Sequence, residues 1–197
     1  AGEVFSYGSA VHHGDLRGES LEHPIVAMTA HPTGNGYWLA TADGGVFAFG
    51  NAAFQGSMAA VVLNKPVVGM ETTRSGNGYW LVASDGGIFS FGDAGFYGST
   101  GDIVLNKPIT SMTAARDGRG YWFVASDGGV FAFGSVEFFG SRGGNKNRLS
   151  TAGMAVTNTN DGYWLVWDDG TSFPFGDAPD FRSSVAKRTV VAIEVVP

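Results

Sequence analysis

The chain is 197 residues long, with 12 basic and 18 acidic side chains and a net charge of −6 at pH 7. That balance excludes a binder of nucleic-acid backbones, which needs a basic face, and no apolar run approaches the roughly 18 residues of a membrane-spanning helix. Aromatic residues at 13% set the 31 glycines in an ordered, turn-rich chain rather than a disordered tail, and the lack of cysteine removes disulfides, thiolate metal sites and thiol nucleophiles.

In chain order, the first predicted strand is Phe5–Gly8, inside Gly2-Glu3-Val4-Phe5-Ser6-Tyr7-Gly8. A Gly-Tyr-Trp strand follows at Tyr37-Trp38, then Asp43-Gly44, then a second Phe-Gly strand at Phe47–Gly50. The Asp-Gly pair predicts a tight type I′ hairpin between its flanking strands. From there the pattern repeats every 42 residues: Tyr79-Trp80, Tyr121-Trp122 and Tyr163-Trp164, with Asp85-Gly86, Asp127-Gly128 and Asp169-Gly170 after them. Each unit adds a strand after a proline, as in Pro66-Val67-Val68-Gly69-Met70, and a weaker strand signal, as around Phe96-Tyr97-Gly98-Ser99. Short aromatic and β-branched runs bounded by Gly, Asn, Asp and Pro read as strands. No window carries a capped 3.6-residue apolar period, so no helix is expected.

A unit of about 40 to 45 residues with four antiparallel strands predicts a propeller blade. The expected fold class is all-β: a β-propeller of five blades, one incomplete, built as a single monomeric domain over 1–197. Units starting at the Asp-Gly turn run over about 2–43, 44–85, 86–127, 128–169 and 170–197. Blades starting at the proline, with Val190–Val196 joining the N-terminal strands, and a longer array trimmed at both ends stay open, and four blades with extra edge strands are the nearest rival.

The repeats resemble known families. Gly2–Ser9 and Pro66–Met70 resemble repeats of the regulator of chromosome condensation, and Trp80-Leu81-Val82 with Asp85-Gly86-Gly87-Ile88-Phe89 resembles tectonin repeats. Both families are β-propellers, although this unit is shorter than the chromosome-condensation repeat. Gly78-Tyr79-Trp80-Leu81-Val82-Ala83-Ser84-Asp85-Gly86-Gly87 is similar to repeats of secreted bacterial surface proteins, some of them beside wall hydrolases. That resemblance implies an extracellular or cell-wall-associated binding module.

No catalytic constellation stands out. The repeated aspartates at 43, 85, 127 and 169 fit turns, and the Gly-x-Gly strings at 34–36, 76–78 and 118–120 lack the helix a dinucleotide loop requires. His12, His13, His23 and His31 have no acidic or thiol partner at metal-ligand spacing. A Gly-x-Ser-x-Gly elbow is missing. The expectation is therefore a non-enzyme without cofactor or metal. The candidate binding residues are the repeated Trp38, Trp80, Trp122 and Trp164, whose rings could pack blades or stack on sugars. Polar residues after the Phe-Gly strand, Asn51, Asp93 and Asp177, could accept sugar hydroxyl hydrogens. Two function classes follow. One is a lectin-like module that binds a glycan or cell-wall polymer between blades, with several weak sites per chain. The alternative is a protein scaffold using one face and non-repeated residues such as His12, His13, Glu137, Arg142, Lys146 and Trp167.

Overall fold

Each Gly-Tyr-Trp string becomes the middle strand of a three-stranded antiparallel sheet in a computed structural model of the chain, which describes residues 2–144 and 149–181. Sheet 1 is β1 (Ile25–Ala30), β2 (Gly36–Thr41) and β3 (Val46–Gly50); sheet 2 is β4 (Val67–Thr72), β5 (Gly78–Ala83) and β6 (Ile88–Gly92). Sheet 3 is β7 (Ile109–Ala114), β8 (Gly120–Ala125) and β9 (Val130–Gly134); sheet 4 is β10 (Thr151–Val156), β11 (Gly162–Trp167) and β12 (Ser172–Gly176). Strand order follows the sequence in all four sheets, and there is no helix among the described residues. The described residues form two compact units, those up to 84 with 88–96 and 85–87 with those from 97 on; sheets 1 and 2 belong to the first, sheets 3 and 4 to the second.

The middle strands are buried on both faces, which is why they read as unbroken apolar runs. Period-two alternation divides their side chains. In sheet 1, Trp38 and Ala40 pack with Val67, Met70, Tyr79 and Leu81 of sheet 2. Tyr37 and Leu39 face the other way, onto Leu16 with Val4 and Leu21 from the N-terminal segment. The second unit repeats the first arrangement: Trp122 and Val124 pack with Met154, Val156, Tyr163 and Leu165. Backbone bonds join paired sheets as well, from Val67 N–H to Ala42 O at 2.9 Å and from Thr151 N–H to Ser126 O at 3.1 Å.

Three sequence expectations change. The Asp-Gly hairpin is not type I′, which needs positive φ at both central residues. Gly44 N–H donates to Thr41 O and Thr41 N–H to Gly45 O, both at 2.9 Å, so the loop is Ala42-Asp43-Gly44. Of these only Gly44 has a positive φ, +83°. The aspartate caps the turn instead: Asp85 and Asp127 each accept the N–H two residues on at 3.0 Å, and Asp169 accepts that of Thr171 at 2.8 Å.

The sheets begin after Pro24, Pro66, Pro108 and Ser150, the proline start that the sequence left open. Among the described residues the weaker strand signal of each unit forms no strand, for reasons that lie in its side-chain anchors below. Phe5–Gly8 forms no strand either, because no described Gly-Tyr-Trp strand lies beside it. The degenerate strand at Val190–Ile193, and Lys146, lie outside the described residues.

Candidate functional site

The segments expected as fourth strands are connectors that run the length of a sheet. In the first, Asn51 N–H donates to Asn35 O at one end of sheet 1, and Met58 N–H donates to Gly44 O at the other, both at 2.8 Å. Between these points the backbone groups go to side chains rather than to a ladder. Trp38 Nε1 donates to Ala53 O at 2.9 Å. Tyr79 OH accepts from Gln55 N–H at 3.1 Å and donates to Gly56 O at 2.6 Å. The connector thus fills the space between adjacent sheets, held by the tryptophan of one and the tyrosine of the next.

The bonds recur with the repeat. Trp80 Nε1 donates to Gly95 O at 2.7 Å. Tyr121 OH accepts from Tyr97 N–H at 3.1 Å and donates to Gly98 O at 2.7 Å. Trp122 Nε1 donates to Glu137 O at 2.8 Å, and Tyr163 OH bonds Phe139 N–H at 3.1 Å and Gly140 O at 2.6 Å. Burial pushes the phenols of Tyr79, Tyr121 and Tyr163 above their ordinary range, against a smaller opposite pull from the backbone hydrogen bonds. The glycine in each clamp has no substitute: Gly56 has φ +137°, and a Cβ there would stand 2.5 Å from Phe91 Cδ1.

The residue between the two anchors points outward. It is Phe54, Phe96 and Phe138 in the three complete connectors, exposed by 59%, 66% and 57%. In the N-terminal segment His12 takes this place, 3.4 Å from Asp15. Each phenylalanine follows a residue whose carbonyl a tryptophan holds and precedes one whose N–H a tyrosine holds. The rings are therefore presented on fixed backbone with no share in the core. A lone exposed apolar side chain is ordinary; here the same exposed ring recurs at one position of three connectors.

The predicted site residues fall elsewhere. Trp38, Trp80 and Trp122 are 0%, 1% and 0% exposed. Trp38 tilts against Tyr79 at 5.7 Å and Trp122 stands edge-on to Tyr163 at 6.1 Å between centroids. Of the two roles open to these rings, packing between strands or stacking on a sugar, their burial favours packing. Trp164 is half-buried; its indole donates to Pro179 O at 2.8 Å and stacks on Phe181 at 5.6 Å.

Asp93 is exposed but serves its own turn, accepting from Thr73 Oγ1 at 2.7 Å and Ser75 Oγ at 2.5 Å. Asp177 repeats the clamp with Thr157 Oγ1 at 2.8 Å and Thr159 Oγ1 at 2.5 Å. Asn51 is exposed at the equivalent place in sheet 1. None of the three acceptors stands beside an open indole face. Among the other candidates, Trp167 is buried and Arg142 sits over the Phe173 ring, 4.1 Å from its centroid. His13 leans on Tyr37 at 5.9 Å, and Glu137 contributes its carbonyl to Trp122. No group of three His, Cys, Asp or Glu able to hold a metal occurs among the described residues.

The sequence carried a sign of the exposed rings. Phe54, Phe96 and Phe138 recur at the 42-residue step, in the weakest strand signal of each unit.

No family model matches the chain, and no curated protein matches it. Among solved structures it is similar to the β-propeller domain of Myceliophteria thermophila Cps50 (Swd1), with a TM-score of 0.58 and 13% identity. The match covers 88% of this chain and 65% of that one, so the chain spans about two-thirds of that domain's length. The likeness is one of fold: consecutive antiparallel sheets of the propeller type.

Proposed function

We propose that the chain is a non-catalytic, secreted or surface-associated module that binds a polymeric glycan through repeated sites. The observation that carries this reading is the set of Phe54, Phe96 and Phe138, each more than half exposed on backbone clamped at both flanks. A flat aromatic face suits the C–H face of a sugar ring, and pre-ordered backbone lowers the ordering cost of binding. A single ring of this kind binds weakly, and several on one chain gain by effective concentration on a polymer. This moves the glycan sites from the tryptophans between sheets to the outward side of the connectors.

Five repeat copies in one monomeric propeller remain the proposed architecture. The N-terminal segment supports it by making repeat-type bonds: Leu16 N–H to Gly2 O at 3.0 Å matches Met58 N–H to Gly44 O, and Tyr37 OH donates to Gly14 O as Tyr79 does to Gly56.

A second reading, a protein-interaction scaffold, is favoured by the bare aliphatic tips of the same connectors, Val62 and Val104, which are fully exposed. Titration calorimetry with wall-derived and plant-type oligosaccharides separates the two. The glycan reading predicts more than one ligand per chain, with the number falling as Phe54, Phe96 and Phe138 are replaced in turn by serine. Heat from no glycan, together with one-to-one capture of a protein that Val62→Ser and Val104→Ser abolish, supports the scaffold instead.

A further inference from the structure

Two of the four Gly-Tyr-Trp strands begin at an Asn-Gly step, Asn35-Gly36 and Asn77-Gly78, and the other two at Arg119-Gly120 and Asp161-Gly162. The backbone at this place has one task in every sheet: its carbonyl accepts the N–H that follows the Phe-Gly strand. Asn35 O accepts from Asn51 at 2.8 Å, Asn77 O from Asp93 at 3.2 Å, and Arg119 O and Asp161 O from Ser135 and Asp177 at 2.9 Å. The side chain takes no part in that bond, so the place accepts Asn, Arg and Asp alike. Both asparagines are exposed, and their carboxamides bond nothing among the described residues. Asn160 differs, because its Oδ1 accepts Arg116 N–H at 2.9 Å.

The glycine N–H beside each carboxamide is unengaged as well. On the hairpin side, His31 N–H donates to Gly36 O at 2.8 Å, but His31 O takes Gly34 N–H, also at 2.8 Å. Sheet 2 repeats this: Thr73 N–H donates to Gly78 O at 2.9 Å, and Thr73 O takes Gly76 N–H at 3.0 Å. Toward the Phe-Gly strand, Asn35 O and Asn77 O are the bonding groups. The next residue, Gly36 or Gly78, therefore turns away from that ladder. A free carboxamide thus stands directly before a free main-chain N–H, twice in the chain. Glycine has no Cβ to crowd the approach of the two groups.

We propose that Asn35 and Asn77 are sites of non-enzymatic modification, each deamidating to a mixture of aspartate and isoaspartate. The nitrogen of Gly36 or Gly78 bonds to Cγ of the preceding asparagine, closing a cyclic imide. The Cγ–Nδ2 bond breaks, and Nδ2 leaves as ammonia; the proton it takes up matches the one the glycine nitrogen gives up. A solvent water then opens the imide at either carbonyl, with no change of oxidation state. Opening at Cγ leaves an ordinary aspartate, the residue that stands at 161 with its carbonyl still bonded to Asp177 N–H at 2.9 Å. Opening at the other carbonyl carries the main chain through Cβ and Cγ. The main chain is then one carbon longer, and the group that accepted Asn51 N–H or Asp93 N–H becomes a free carboxylate. Either product adds one negative charge at that end of the sheet.

The test is incubation of the full native chain at neutral and mildly alkaline pH, followed by peptide mapping and labelling with an isoaspartyl-specific methyltransferase. Asn64 and Asn106, exposed and each followed by lysine, are references within the same chain. Asn35 and Asn77 are expected to gain one mass unit and to take the label, faster at higher pH, while the references stay unchanged. Asn77→Arg, the residue found at 119, should remove the signal at 77 and leave that at 35. Conversion of the two sites no faster than that of Asn64 and Asn106 overturns the proposal. So does conversion only in urea, which would mean that the fold holds both Asn-Gly steps shut.

Discussion

Every complete connector carries two kinds of aromatic environment, and they differ in what the fold needs from them. The Trp-Tyr pairs of the middle strands are wholly buried and spend their polar atoms on connector backbone. Phe54, Phe96 and Phe138, one residue from those bonds, are more than half exposed. Both recur every 42 residues. The repeat alone therefore does not separate scaffold from surface; solvent exposure and hydrogen bonding do. The buried set should govern stability and the exposed set should govern binding.

The largest break in this contrast is Trp122→Ala. It empties a site with no exposed surface and orphans the Glu137 carbonyl. A loss of about 3–5 kcal/mol in denaturant unfolding is expected. Next is Gly140→Ala, where φ is +136° and a Cβ would stand 2.6 Å from Phe175 Cδ1. That change is expected to cost about 2 kcal/mol or more. Tyr163→Phe keeps the ring but leaves Phe139 N–H and Gly140 O without their partner, for about 1–3 kcal/mol.

The phenols also give the contrast a pH signature. Burial raises the folded-state pKa of Tyr79, Tyr121 and Tyr163 above the unfolded value of 10.0. Their contribution is whole below pH 10 and is lost as pH rises through the folded values, since the unfolded chain then binds fewer protons. Urea midpoints measured from pH 8 to 11 should fall only toward the alkaline end, and Tyr163→Phe should make that fall shallower. At the small end, Phe54→Ser is expected to move stability by no more than about 0.5 kcal/mol.

Much of the scaffold was legible in the sequence. The Gly-Tyr-Trp strings, and the Phe-Gly strings from Phe47 on, lie where strands form, because both are short β-rich runs closed by turn residues. The Asp-Gly turn was read in the right place with the wrong type: φ at Asp43 is a backbone property that a dipeptide does not report. Around Phe96 the pattern of aromatics and glycines is the same whether the backbone bonds a neighbouring strand or the hydroxyl of Tyr121. Trp80 is buried and Phe96 exposed for a related reason. A strand buried on both faces gives no hint of which aromatic stays open, and the position of Phe96 depends on anchors 16 residues before and 25 after it. Asp93 looked like a free acceptor because Thr73 and Ser75, which bond it, lie a strand pair away in sequence.

The division of labour between the two aromatic sets is tested most directly by the triple variant Phe54→Ser, Phe96→Ser, Phe138→Ser, assayed for both properties in one preparation. Its thermal midpoint is set against wild type alongside its co-sedimentation with purified cell-wall polysaccharide. The account predicts an unchanged midpoint and at least a tenfold loss of retention. Full retention at an unchanged midpoint would contradict it.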